Sequence, residues 1–489
     1  MGPVKIVIAG GGISGLATAY HLSQYLPESP LPFQITLLEA RPSFGGVIRT
    51  LRQGDFLAEL GPDSFMADKD AVFELCSALN LGHELTGIVP GSRNIYVCEN
   101  GQFYPFPQGF HLMVPANLMS LAQTSLLSWP GKLRAAMDLL IPARKGETDE
   151  SIASFVRRRF GGEVLRRIVQ PLLGSIYGAD LNELSMRALL PRFVEMEKRC
   201  GSVIRAMRAG TKKKKEAGNQ GASAQMQQYG MFVTLRSGME TLCRKLRDAS
   251  THVDFQAGAE VTEIRPGPPW KILLKGGRMV EADLLCAALP AFQAAPLLKG
   301  AAENLGQKLK NIGSKSMIVV NLGYERTAVP QLPAGSGFVG SSGDGVEILG
   351  GSFSNAKFEG RAAEDKVLMR FFIGRKACDG LLDEDDAKIV ESLRRKLALL
   401  LDVRAAPLFS DVRRYKNQMP HYKVGHLQTL AEIRQEAAPF ETLFLTGNCF
   451  TGAGVTECAS QAKQTAGKIK EMLNRISRDR EAKSGHAVA

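Results

Sequence analysis

Val4 to Ala9 reads VKIVIA, a short β-branched apolar run, and Gly10, Gly12 and Gly15 follow it in G-x-G-x-x-G spacing. Leu16 to Leu26 then reads as a helix, and Gln34 to Leu38 as a second apolar strand that ends on Glu39. This is a β-α-β unit closed by an acid, which commits the chain to an α/β fold with a dinucleotide site. Gly10 permits the tight turn, Gly12 lets the backbone come close to a pyrophosphate, and Gly15 lets helix pack on strand. The helix N-terminus offers unpaired N–H groups to the phosphates. Glu39 can accept hydrogen bonds from both ribose hydroxyls. A carboxylate there disfavours a 2′-phosphate, so FAD or NAD fits better than NADP.

The next residues favour a flavin. Arg41 and the doublet Gly45-Gly46 lie just past the acid, where backbone can pass close to a cofactor and a guanidinium can reach phosphate or ribose. Glu59-Leu60-Gly61-Pro62-Asp63 makes a turn that can lie against an isoalloxazine. This opening resembles the FAD-binding start of the amine oxidase and porphyrinogen oxidase superfamily. The resemblance implies FAD contacts at Gly10, Gly12, Ile13, Ser14, Gly15, Glu39, Ala40, Arg41, Gly45, Gly46, Val47, Gly61, Pro62, Asp63 and Ser64.

At 489 residues the chain suits two or three domains. Its formal charge of +12 is compatible with nucleic acid, an anionic membrane surface or an anionic substrate, and no nucleic-acid module is present. The 8 cysteines form no C-x-x-C, and neither they nor the histidines have metal-ligand spacing, so no metal is expected. The thiols read as reduced, in a cytoplasmic protein. No stretch reaches the roughly 18 apolar residues that span a bilayer.

Residues 1–90 read as the first part of an FAD domain, and 91–110 as strands of a substrate domain. Residues 111–208 read as a helical domain broken by prolines. Within it Leu118 to Leu127 and Leu133 to Leu140 carry apolar faces beside Lys132, Arg134, Arg144 and Lys145. Such faces usually pack inside; a basic amphipathic helix can also rest peripherally on an anionic membrane. Residues 209–230, with KKKK and a Gly, Ala, Ser and Gln run, read as a flexible loop. The chain returns to the cofactor domain at 231–300, builds an antiparallel substrate sheet over 301–415, and returns again at 416–477. The tail, 478–489, reads as disordered. The expected fold is thus α/β: a discontinuous Rossmann-like FAD-binding domain, an antiparallel-sheet substrate domain and a helical domain.

Further stretches carry a closer resemblance. Arg158 to Phe193 contains RFGGEV, PLLGSIYGAD and LSMRA; Ser237-Gly238-Met239 starts a helix; Met419 to His426 reads MPHYKVGH; Leu445 to Cys458 reads LTGNCFTGAGVTEC. Together they resemble the protoporphyrinogen/coproporphyrinogen oxidases along nearly the whole chain. Two departures stand near the expected pocket: Gly374-Arg375 for a glycine doublet, and Gly335-Ser336-Gly337 for G-F-G. The resemblance implies FAD-dependent oxidation of a porphyrinogen by dioxygen, with release of hydrogen peroxide, and hand-over of product to a ferrochelatase. It places Val261, Gly447, Asn448, Gly454, Val455 and Thr456 at the flavin, Arg93 at a substrate propionate, and Val339 and Phe372 on the pocket wall. No general base stands out: pyrrole protons can leave to water, to backbone or to a side chain such as Asn448, the one catalytic candidate, and His421 and His426 are more often structural. The rival readings are an amine oxidase or carotenoid desaturase of the same superfamily, and a porphyrin carrier with a vestigial flavin site. Coproporphyrinogen III is favoured over protoporphyrinogen IX because the chain is basic and lacks a clear membrane anchor. Oligomeric state is left open.

Overall fold

The computed structural model describes residues 2–115, 118–216, 224–299, 303–330, 332–340 and 347–486. The opening run forms strand Val4–Ala9, followed by helix Ile13–Tyr25 and strand Phe33–Glu39. These strands belong to a five-stranded sheet in the order 253–257, 33–39, 4–9, 284–287, 443–445, with every neighbour parallel. Parallel sheets need cover on both faces, so their strands read as near-continuous apolar runs. Here Val4, Ile6 and Ile8 face a core shared with the first helix and the long C-terminal helix. Val7 faces the other way, into a core with Trp270, Leu298 and Leu309. The chain therefore enters this sheet in three separate passes. The first strand, at the centre, has neighbours on both sides, and the crevice at its C-terminal end is the topological switch point where such folds bind ligands.

A second sheet has seven strands in the order 409–421, 313–325, 366–373, 350–353, 337–339, 95–99, 102–105. It is antiparallel except for one parallel pair, in which Gly337 stands opposite Ile95. Alternation sorts the side chains. Ile318, Val320, Leu322, Met369 and Phe371 pack with Leu393 and Leu397 of helix Asp386–Leu401. Met317, Val319, Asn321, Arg370 and Phe372 take the other face, toward the parallel-sheet unit. Strand 95–99 joins this sheet beside 337–339, more than 200 residues later in the chain.

Helices between 118 and 216 pack around Phe155, Phe160, Ile168, Leu173 and Phe193. Three differences from the sequence reading stand out. Residues 209–216, expected as loop, lie in helix Val203–Glu216, and Ala224–Tyr229 is also helical; 217–223 lie outside the described residues. Residues 478–486 of the expected disordered tail instead continue the last helix, Val455–His486, and 487–489 lie outside the described residues. Its Arg, Glu, Ala and Lys residues are strong helix formers. The faces of 118–140 are also divided rather than packed. Leu121, Leu126, Leu127 and Ala135 are buried, while Trp129, Leu133, Met137 and Leu140 are exposed along one helical row. Among the described residues no helix is long and apolar enough to cross a membrane.

The helical unit has a polar centre. Arg159 is fully buried, and its Nε donates to Asp138 Oδ1 at 2.5 Å. Its other nitrogens reach Glu197 and the carbonyls of Asp138, Ile141, Pro142 and Gly201. Asp138 Oδ2 accepts in turn from the Ile204 N–H at 2.9 Å. Breaking a buried pair from one side strands the remaining charge, at a cost of about 3–5 kcal/mol. Arg159→Met should lower unfolding stability by about that amount in denaturant titrations. Asp138→Asn in the same background should recover part of the loss; an undiminished loss in the double variant would show that the pair does not act as a unit.

Candidate functional site

At the C-terminal ends of the parallel strands lies a cleft of about 440 Å³. Its walls include Gly10, Gly12, Ile13, Ser14, Glu39, Ala40, Arg41, Gly45, Gly46, Val47, Pro62, Val261, Gly447, Asn448 and Val455, all expected at a cofactor. The glycines divide the work. Gly10 has φ +111°, and a Cβ there would stand 2.4 Å from the Ala288 carbonyl oxygen. A Cβ on Gly15 would stand 1.9 Å from the Gly10 oxygen, so this glycine is the helix-to-strand contact. A Cβ on Gly12 would meet nothing within 4 Å. The space over Gly12, at the N-terminus of the helix, is open to a ligand, as a pyrophosphate requires.

The acid is held in place before any ligand arrives. Glu39 Oε2 accepts from the Gly11 N–H at 2.7 Å, and Oε1 from the Arg41 N–H at 3.0 Å. Arg41 turns its guanidinium to the Gly46 carbonyl, at 2.8 Å, and so braces the glycine doublet. Gly46, at φ +62°, places the doublet so close that a Cβ there would lie 3.1 Å from Gly12 Cα.

At the far end of the cleft stands Asn448. Its Nδ2 donates to the Gln418 carbonyl at 3.3 Å, and its own carbonyl accepts from the Tyr422 hydroxyl. The cleft thus has a carboxylate for ribose hydroxyls at one end, a bare helix N-terminus in the middle and a mostly apolar far end with an amide. That donor set fits FAD.

Several expected contacts do not line this cleft. Gly61 packs on the Val47 carbonyl, where a Cβ would be 1.7 Å away. Asp63 pairs with Lys357 at 2.8 Å and Arg370 at 3.6 Å, and Ser64 donates to it. Burial would raise the Asp63 carboxyl, but the two cations outweigh it and hold it well below the usual range. Gly454 lies against Glu457, and Thr456 is buried beside the Met66 carbonyl. The walls that sequence reasoning missed are Phe292, Gln293, Pro296 and Leu297 of one helix, Gln418 and Cys458.

Val339 and Phe372 share one face of the seven-stranded sheet, on a cross-strand row with Gly350 between them. Phe372 is half-buried beside Met317, Val319, Leu349, Tyr415 and Met419, with the Arg370 guanidinium 4.6 Å from its ring centre. Val339 is half-buried against the helical unit. A Cβ on Gly350 would approach Ser175 of helix Gln170–Tyr177, so the glycine leaves that row narrow enough for the helix to cross. Arg93 is not brought to this row. It is exposed two residues before strand Ile95–Glu99, with its Nη2 near Gly230, and makes no hydrogen bond or ion pair among the described residues.

His421 and His426 are buried and line no part of the cleft. His421 Nε2 is 3.1 Å from a Glu183 oxygen, and His426 meets the Tyr422 ring edge-on. Burial lowers both to about 4, which keeps them neutral and structural. No group of residues among those described could hold a metal ion, and all 8 cysteines are free.

Residues 13–470 match the model of the flavin-containing amine oxidoreductases. The coproporphyrinogen III oxidase of Bacillus subtilis is 32% identical over 464 residues, covering 94% of this chain and 97% of that one. Protoporphyrinogen oxidase 1 of spinach chloroplasts is 27% identical, over 96% and 85%. A crystal structure from Exiguobacterium sp. 255-15, described as a protoporphyrinogen oxidase, superposes with a TM-score of 0.83 at 27% identity, covering 96% of this chain and 100% of that one.

The cleft gives one prediction and the buried histidines another. Gly12→Ala should fold and melt as the flavin-free wild type does, because nothing in the protein opposes the methyl, yet purify without flavin. Retention of a full complement of flavin, read by absorbance, would refute the open space over Gly12 as the phosphate seat. The histidines give a pH dependence. Unfolded His titrates near about 6.5, whereas folded His421 and His426 titrate at about 4. Their neutral burial therefore favours the fold above 6.5, and the advantage is lost as pH falls toward 4. Glu59, which burial raises to about 7 against the pull of Arg361, acts in the opposite sense over about 4.5 to 7. Relative to wild type, the His421→Gln/His426→Gln variant should lose less in Tm between pH 6.5 and 5; parallel curves would rule the histidines out.

Proposed function

The chain belongs to the flavin-containing amine oxidoreductase family and, within it, to the porphyrinogen oxidases, with FAD as cofactor; from that premise we propose that it oxidises coproporphyrinogen III to coproporphyrin III. The observation that carries the choice of substrate is that its relatives above 30% identity bear that activity in their names. The reaction is a six-electron oxidation, and bound FAD supplies the acceptor for hydride equivalents from the macrocycle. Dioxygen is the final acceptor and leaves as hydrogen peroxide, and the product passes to a ferrochelatase in haem biosynthesis.

The chain's own residues have positioning work. The helix N-terminus at Gly12 and the carboxylate of Glu39 hold the cofactor's phosphates and ribose. The substrate is a wide apolar disc with carboxylates, and suits an apolar wall with cations at its rim. Val339 and Phe372 supply wall. Arg93, exposed and unpaired among the described residues, supplies a cation for a propionate. Among the described residues the cleft's only acids are Glu39 and Glu260, at the ribose end, and no histidine lines it. Pyrrole N–H protons then leave to water, with the Asn448 amide and nearby backbone as hydrogen-bond partners rather than as a base. The exposed row Trp129, Leu133, Met137 and Leu140 supports peripheral contact with an anionic membrane. Every charged residue from 118 to 145 is basic except Asp138, which is buried against Arg159.

Purified yellow protein under air should yield porphyrin fluorescence from coproporphyrinogen at least about tenfold faster, in kcat/KM, than from protoporphyrinogen. Losing a charge-assisted bond of about 1.5–3 kcal/mol, Arg93→Ala should raise KM about tenfold or more with flavin retained. A preference for protoporphyrinogen would overturn the substrate assignment. No fluorescence from either, with flavin bound, would return the amine oxidase and desaturase readings.

A further inference from the structure

The turn Glu59–Asp63 is gripped from the substrate-side sheet at three successive carbonyls. Asn321 Nδ2, from strand Gly313–Glu325, donates to the Glu59 carbonyl at 3.3 Å. The Tyr415 hydroxyl, from strand Phe409–His421, donates to the Leu60 carbonyl at 2.8 Å. Arg370 Nη2, from strand Lys366–Ile373, donates to the Gly61 carbonyl. The three donors come from three adjacent strands and one sheet face. On its other side the same turn presses on the flavin cleft. The Leu60 N–H donates to the Arg49 carbonyl at 2.8 Å, Gly61 leaves no room for a Cβ against Val47, and Pro62, Val47 and Ile48 all line the cleft. The Arg370 guanidinium also stacks on Phe372 at 4.6 Å and pairs with Asp63, which Lys357 holds. One arginine thus touches both the turn under the cofactor and an aromatic of the substrate wall.

We propose that Asn321, Tyr415 and Arg370 form a clamp that sets the position of the substrate-facing sheet relative to the flavin ring, and so are positioning residues of the oxidation. The proposal rests on the reading of this cleft as a porphyrinogen oxidase site. Stability alone accounts poorly for the clamp. Arg370 and Asn321 are almost wholly buried, yet Arg370 Nε and Asn321 Oδ1 have no hydrogen-bond partner. A buried, half-satisfied polar group costs free energy that an apolar side chain of similar size would not. What the polar groups add is direction: each hydrogen bond fixes one carbonyl of the turn. Hydride transfer is steep in distance, and a misplacement of about 1 Å costs roughly a hundredfold in rate.

The test uses the holoenzyme and the variants Asn321→Leu, Tyr415→Phe, Arg370→Met and Arg370→Lys. Measured are flavin content, Tm, the absorption spectrum and reduction potential of the bound flavin, and the rate of anaerobic flavin bleaching by coproporphyrinogen III. Expected for Asn321→Leu and Tyr415→Phe are full flavin content, with a Tm near that of wild type for Asn321→Leu and modestly lower for Tyr415→Phe, which leaves the Leu60 carbonyl unpaired. Their flavin spectrum or potential should shift, and bleaching should slow about tenfold to a hundredfold. Arg370→Lys should recover part of the rate lost in Arg370→Met. Unchanged spectra, potentials and rates would overturn the clamp, as would flavin loss in proportion to a fall in Tm, which marks a structural fastening only. If wild-type flavin is not bleached at all, the substrate reading fails by itself, and the spectrum and potential still decide the clamp.

Discussion

The close crossing of backbone on backbone at Gly10, Gly15 and Ala288 is the constraint on which the rest depends. The first strand must turn sharply enough for its helix to start over the cleft, and the strand beside it must end where the turn begins. A Cβ on Gly10 would collide with the Ala288 carbonyl, and one on Gly15 with the Gly10 carbonyl. Only that crossing lets the helix N-terminus point its free N–H groups at the switch point. Ala288 arrives from the second pass of the chain, some 270 residues later. The cofactor seat cannot form until distant segments have docked.

The same logic explains why the chain keeps leaving the parallel sheet and returning. Each excursion adds a wall that the β-α-β unit lacks. The helix at 291–299, right after the second return, supplies part of the cleft wall through Phe292, Gln293, Pro296 and Leu297. The third return brings Gly447 and Asn448, and Tyr422 just before it holds the Asn448 carbonyl. The substrate-side sheet grips the turn at 59–61 with side chains from three strands. Cofactor and substrate sides are therefore fastened at one short polypeptide turn, flanked by the apolar cluster of Phe56, Ala58, Leu368 and Phe409.

The sequence made the first unit legible because its signals are local: a β-branched run, glycines at fixed spacing, an acid at the end of the next strand. The second sheet was legible as an antiparallel substrate sheet over 301–415, and strands 95–99 and 102–105 join it from far upstream. Tertiary facts were hidden. Asp63 follows the flavin-side turn and reads as a cofactor contact, but Lys357 and Arg370, roughly 300 residues away, hold it elsewhere. Gln418 and the helix at 291–299 carry no motif, and only packing brings them to the cleft. Residues 209–216 and the tail misled for another reason. Lysine- and arginine-rich composition suggests solvated loop, yet such side chains are good helix formers and cost little when exposed.

Arg158 to Phe193, the stretch with the most specific resemblance, is chiefly structural. Arg159 holds Asp138 and Glu197, while Phe160, Val164, Ile168, Leu173, Leu181 and Met186 are buried in the helical core. Its approach to the reaction is through Ser175 and Gly178, which meet the substrate-side sheet at Gly350 and Met317. A motif can thus identify a family through the packing of a helical unit and be silent on which porphyrinogen is taken. That choice depends on where cations stand around the rim. Arg93, exposed and unpaired among the described residues, stands at the surface and not in that core. Family membership is written in the core, where each side chain is fixed by many neighbours. At the surface, by contrast, a single charge can change with little effect on the fold.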